Sequence, residues 1–213
     1  MTLTEVRRAT AWQVQSLAMG YPDEQLVARL PLLRAATRTL PAPLAVPLDR
    51  FLDHVAATPL TVLAADYVAT FDHRKRFSPY LTYFAYGDTR KRGMALLRFK
   101  HAYRAAGLEL DDSELPDHLA VVLEFAATGD PVVGHRLMTE HRAGLELIRL
   151  GLRDAGSPWA DVLESVSATL PPLGRREHEA VARLAAEGPP EEDVGLAPFA
   201  PPEYMPQPRG DRR

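Results

Sequence analysis

The stretch "ELPDHLAVVLEF", Glu114 to Phe125, sets two acids, a proline and a histidine ahead of an apolar run. It reads either as a catalytic or metal-binding pair, Asp117 and His118, or as the start of a helix. At roughly 100° per residue, Leu115, Leu119, Val122 and Ala126 fall on one face, with Leu123 beside them. Asp117 and Glu124 fall on the opposite face, with His118 and Phe125 on the flank between. Pro116 lies in the first turn, where its missing N–H costs nothing, and acids there complement the positive end of the helix dipole. The pattern predicts a helix whose start explains Glu114 and Asp117 without catalysis.

The same period continues on both sides. "TGDP" (Thr128 to Pro131) separates this helix from another carrying Val133, Leu137, His141, Leu145, Ile148 and Leu152. Two shorter helices follow, from Ser157 to Leu170 and from Arg175 to Ala186. Upstream, Gly87-Asp88 supplies an N-cap for a long helix with Leu96, Phe99 and Tyr103 on one side, closing at Gly107. Leu60, Leu63, Tyr67 and Phe71 form an earlier stripe, which ends at His73-Arg74-Lys75-Arg76. "LPAPLAVP" (Leu40 to Pro47) reads as a proline-punctuated connector. Pro22 opens a helix through Leu26, Leu30 and Leu33. The first helix aligns Leu3, Val6, Thr10, Val14 and Leu17 and stops at "GYP". No strand-like alternation, phosphate loop or repeat is present. The fold class is therefore all-α: a single-domain bundle of about eight to ten helices over residues 1–187. From Gly188 onward seven prolines fall in the last 26 residues, which predicts an extended or disordered tail over 188–213.

Composition narrows the chemistry. With no cysteine among 213 residues, disulfides, thiolate metal sites and cysteine nucleophiles are excluded. The seven histidines never form an i, i+4 pair, so no metal site is expected. No Gly-x-Ser-x-Gly elbow accompanies the serines. Charged and amide residues interrupt the first helix, and no stretch approaches the ~18 apolar residues of a membrane span, so a soluble cytoplasmic protein without stable membrane insertion is expected. The net charge of −3 conceals a segregation. Nine Lys/Arg residues and one acid lie between His73 and Arg104, while seven acids and no Lys/Arg lie between Glu109 and Asp130. Such blocks either attract each other within the fold or offer a docking field, and a negative field would suit a basic peptide. No nucleic-acid module accompanies the basic block, so no nucleic-acid partner is expected. An enzyme alternative remains, a small hydrolase or lyase using Asp117, His118 and Glu124.

Several segments resemble the nitrate reductase molybdenum cofactor assembly chaperones, the NarJ or nitrate reductase delta subunit family. The resemblance runs through "AWQVQSLAMGYPDEQL" (Ala11 to Leu26), the stretch Asp66 to Leu110, and "ELPDHLAVVLEFAA" (Glu114 to Ala127). Short motifs are shared with the wider TorD/DmsD-like redox enzyme maturation chaperones. Tyr67 and Phe71 match a Tyr-x-x-x-Phe element. Pro79-Tyr80 matches a Pro-Tyr pair, with Leu81-Thr82 in place of the Glu-Ser that often follows. Glu114, Pro116, Asp117 and His118 match Glu-x-Pro-Asp-His. The resemblance implies an all-helical, cytoplasmic, non-enzymatic chaperone without a cofactor or metal of its own. It would bind the N-terminal peptide of the apo nitrate reductase catalytic subunit and support molybdenum cofactor insertion before membrane docking. Transient contact with cofactor delivery proteins is also implied. The peptide site would comprise Tyr67, Phe71, Pro79, Tyr80, Glu114, Pro116, Asp117, His118 and Glu124, with acids guiding the peptide's cationic end.

Overall fold

The computed structural model describes residues 4–110 and 114–188. Apart from Gly188, the expected Pro-rich tail lies outside them. Among the described residues there are eleven α-helices and no strand. They are α1 (Glu5–Met19), α2 (Glu24–Thr37), α3 (Ala42–Ala57), α4 (Leu60–Tyr67), α5 (Tyr83–Tyr86), α6 (Arg90–Ala105), α7 (Leu119–Thr128), α8 (Pro131–Glu140), α9 (Arg142–Asp154), α10 (Trp159–Thr169) and α11 (Arg175–Glu187). A π-helical turn, Val68–Asp72, continues α4, and a 3₁₀ turn spans Lys75–Phe77. One continuous core runs from Ala11 to Leu170.

Helix α1 is the centre of the bundle and packs against α2, α7 and α10. Thr4 caps it by accepting from the Arg7 N–H. It buries Ala11, Trp12, Val14, Gln15, Ser16, Ala18 and Met19, whereas Val6 stays 77% exposed. This corrects the stripe expected through Val6 and Thr10. Burial on several sides admits polar residues wherever each finds a partner. Trp12 Nε1 donates to Thr169 Oγ1 (3.1 Å), Gln15 Nε2 to Ser165 Oγ (2.8 Å) and Ser16 Oγ to the Ala120 carbonyl (2.8 Å). Ser165 Oγ in turn donates to the Leu44 carbonyl of α3 at 3.0 Å.

Further boundaries differ from expectation. Helix α6 is entered through Thr89, which makes no side-chain cap bond, while Asp88, the expected cap, pairs with Lys75 and Arg92. Residues 42–47 begin α3 instead of linking helices. Pro43 occupies its first turn, and the bond that Pro47 forfeits is offset by burial of Leu44, Pro47, Leu48, Phe51, Leu52 and Val55. The helix expected across Val133 to Leu152 breaks at His141, which leaves helical geometry (φ −104°, ψ 20°) and separates α8 from α9. Pro22, expected to open α2 from its first turn, precedes the helix, and Asp23 caps it by accepting from the Leu26 N–H at 2.8 Å.

Candidate functional site

The π-turn after α4 keeps Phe71 against Tyr67, with ring centroids 4.8 Å apart, and both rings contact Trp159 at 5.6 Å. Tyr67 and Phe71 are buried. The Tyr67 hydroxyl donates to the Met19 carbonyl (3.1 Å), joining the end of α4 to the end of α1. Burial pushes the Tyr67 phenol above its ordinary range, and the nearby Asp72 carboxylate adds to the shift.

The two remaining motifs meet, although 35 residues separate Thr82 from Asp117. The Pro79–Thr82 segment runs antiparallel to Pro116–Leu119 in an isolated bridge between Tyr80 and His118. Leu119 N–H donates to the Pro79 carbonyl and Leu81 N–H to the Asp117 carbonyl, both at 2.9 Å. Asp117 Oδ2 accepts from the Thr82 N–H (3.1 Å) and the Thr82 hydroxyl (2.5 Å). Arg92 approaches the same oxygen at 3.7 Å, and its Nε donates to Thr82 Oγ1 at 3.1 Å. Thr82, which stands where the resemblance would place the serine of a Glu-Ser pair, contributes its hydroxyl here. The Tyr103 hydroxyl donates to the Pro116 carbonyl, closing the suture from α6.

This geometry corrects the reading of Asp117 as a partner of Glu124 on an open helix face. Asp117 has no exposed surface. Helix α7 begins at Leu119, with His118 as its N-cap, so Asp117 precedes the helix and turns inward. His118 Nδ1 accepts from the Ala120 N–H at 3.3 Å, which makes the capping nitrogen the unprotonated one, and the ring meets Tyr80 edge-on at 5.2 Å. Burial lowers the His118 pKa, against the opposing pull of Asp117 and Asp72. Tyr80 is half-buried beneath Arg92, whose guanidinium lies 5.3 Å from the ring centroid. Its phenol is pushed up by burial first, then by Asp117, Asp72 and Glu114.

Glu114 and Glu124 are exposed. Glu124 borders a groove of about 220 Å³ between the end of α6, the 108–110 segment and α7. Tyr103, Leu108, Leu110, Val121 and Phe125 form its apolar walls, and Glu109 stands with Glu124 at its rim. Asp117 and His118 are not among these walls, so the three residues of the enzyme alternative hold separate posts. Among the described residues no group of three or more His, Asp or Glu could hold a metal ion, and no helix is long and apolar enough to cross a membrane. The local sequence pattern singles out neither Arg92 nor the bonds by which Thr82 and Tyr103 hold the Pro116-Asp117 segment.

Comparison with known proteins gives concordant findings. The profile of the family described as nitrate reductase delta subunit matches residues 37–164. A nitrate reductase molybdenum cofactor assembly chaperone, NarJ, of Bacillus subtilis is 30% identical over 171 residues, covering 80% of this chain and 93% of that one. The nitrate reductase-like protein NarX of Mycobacterium tuberculosis is 38% identical over 159 residues; the match covers 74% of this chain but 24% of that protein's length. A crystal structure of a redox enzyme maturation protein from Archaeoglobus fulgidus shares the fold, with a TM-score of 0.55 at 22% identity, covering 75% of this chain and 91% of that one.

Proposed function

Because this chain belongs to the nitrate reductase delta subunit family, we propose that it is a dedicated assembly chaperone, not an enzyme, which holds the apo catalytic subunit of a nitrate reductase by its N-terminal segment. It does so in the cytoplasm, before that subunit docks at the membrane, and keeps it competent to receive molybdenum cofactor. The observation that carries the peptide-binding part is the groove beside α7, apolar along Tyr103, Leu108, Leu110, Val121 and Phe125 and acidic at Glu109 and Glu124. An amphipathic, basic helix would lay its apolar side between these walls and its cations on that rim.

Most of the affinity would then come from buried apolar side chains, since a rim charge contributes only ~0.2–1 kcal/mol. In this reading Glu114, Tyr80 and His118 extend the contact along the sutured motifs. Tyr67, Phe71, Pro79, Pro116 and Asp117, all buried, would act through the shape of that surface and not by touching the peptide.

Isothermal titration of the full chain with the catalytic subunit's N-terminal peptide tests this reading. Saturable binding is expected, and Glu124→Lys should weaken it about two- to fivefold at low ionic strength and less at high salt. A folded protein that binds no peptide at low salt would remove the proposal. Unchanged affinity in Glu124→Lys would remove this groove as the site.

A further inference from the structure

Helix α6 is unlike every other helix in its charge. Its sequence, "RKRGMALLRFKHAYRA", carries six Lys/Arg residues and no acid. Ala95, Phe99 and Tyr103 fasten it to the body. On the opposite side Met94 is 69% exposed and Leu97 48% exposed. At roughly 100° per residue, Leu97, Arg90, His101 and Met94 occupy a crest only about 60° wide. Lys91 and Arg98 flank it beside Met94, while Lys100 and Arg104 flank it beside Leu97. Arg92 alone turns inward, towards Asp117 and Asp88. The ion pair of Arg98 with Glu140 lies in solvent, both side chains being more than a third exposed. Through Asp88, which also pairs with Lys75 at 3.0 Å, the start of α6 adjoins the basic 3₁₀ turn of Lys75 and Arg76.

We propose that the outer face of α6 binds reversibly to an anionic lipid surface, with Met94 and Leu97 entering the headgroup layer and the flanking Lys and Arg residues on its phosphates. Two exposed apolar side chains bordered on both sides by long basic ones can enter a headgroup layer while the cations meet its phosphates. Lys and Arg stems cover apolar surface while their charges remain in the polar layer. A stable protein partner would need roughly 1,200 Å² or more of complementary surface, and a two-residue crest offers far less. Single-stranded nucleic acid needs exposed rings for stacking, whereas both aromatics of α6, Phe99 and Tyr103, are buried. A fluid, negatively charged plane requires only the charge and the crest. This inference stands independently of the peptide groove.

The test is co-sedimentation of the full chain with vesicles of phosphatidylcholine alone and of phosphatidylcholine mixed with phosphatidylglycerol. Binding is expected only to the anionic vesicles and should fall as salt is raised. Lys91→Glu with Arg104→Glu should lower partitioning by about tenfold or more, because each basic residue near such a surface contributes about a fivefold factor. Met94→Asp with Leu97→Asp should also lower it, whereas Val132→Asp, an exposed apolar position on α8, should not. Circular dichroism shows which variants remain folded. Absence of binding to anionic vesicles, equal binding to neutral ones, or indifference to both folded α6 variants would overturn the proposal. A salt-sensitive dimer broken by the same substitutions would overturn it in favour of a second copy of the chain.

Discussion

Asp117 lies wholly inside the protein, one oxygen held by Thr82 and faced by Arg92. Replacing it with lysine would put two cations together where a carboxylate was and strand the Thr82 donors. The expected loss for Asp117→Lys is about 3–5 kcal/mol, measured by urea unfolding and little changed by salt because the site is buried. Glu124→Lys, on the surface, should leave the same curve within about 0.5 kcal/mol. The partly buried imidazoles make a second expectation. Burial lowers the pKa values of His118, His135 and His141, so each takes up a proton less readily in the folded chain than in the unfolded one. The unfolded chain, whose histidines titrate near pH ~6.5, therefore protonates first, and stability falls as the pH drops below that value. The urea midpoint should be lower at about pH 5.5 than at about pH 7.5, and His118→Asn combined with His141→Gln should flatten the difference. Motif residues were legible in the sequence, but their duties were not. Asp117 was readable as an acid at a helix start, while its partners Thr82 and Arg92 come from a segment that nothing in the local pattern connects to it.

Helix boundaries were readable where the chain itself carries the stop. Gly20 ends α1, Gly107 (φ 76°) follows α6, and Asp130 with Pro131 starts α8. They were hidden where tertiary packing decides. Glu140-His141 holds neither glycine nor proline, and the break between α8 and α9 brings the His141 ring to 5.7 Å from Phe99. The prolines of α3 look like punctuation in the sequence because the apolar contacts that outweigh them lie on other helices. The contact of α7 with α8 gives a prediction at this scale. A Cβ added at Gly134 would stand 2.5 Å from the Ala126 Cβ and 2.7 Å from its Cα. The obstacle includes backbone, so the helices must part. Gly134→Ala should cost about 1–3 kcal/mol despite alanine's better helix propensity, and thermal unfolding would register it as a lower midpoint.

For the whole molecule, periodicity and the lack of alternating segments were enough to give one all-helical body. Charge blocks were equally plain in the sequence, yet their use was divided in a way no count reveals. Arg92 and Asp117 join the basic and acidic blocks inside the fold, while Glu109 and Glu124 remain outside at the groove. Which helix occupies the centre was not legible either, because α1 spends buried positions on Gln15 and Ser16. The partner of Gln15, Ser165, lies near the other end of the described chain, and that of Ser16, the Ala120 carbonyl, lies on α7. That placement has a consequence for synthesis. Trp12 waits for Thr169, 157 residues downstream, and Gln15 waits for Ser165. At ~5–20 residues per second, a ribosome needs roughly 8–30 s to deliver those partners. Helix α1 is thus among the last to be seated, and during that interval Trp12 and Gln15 are without the partners that hold them in the finished fold.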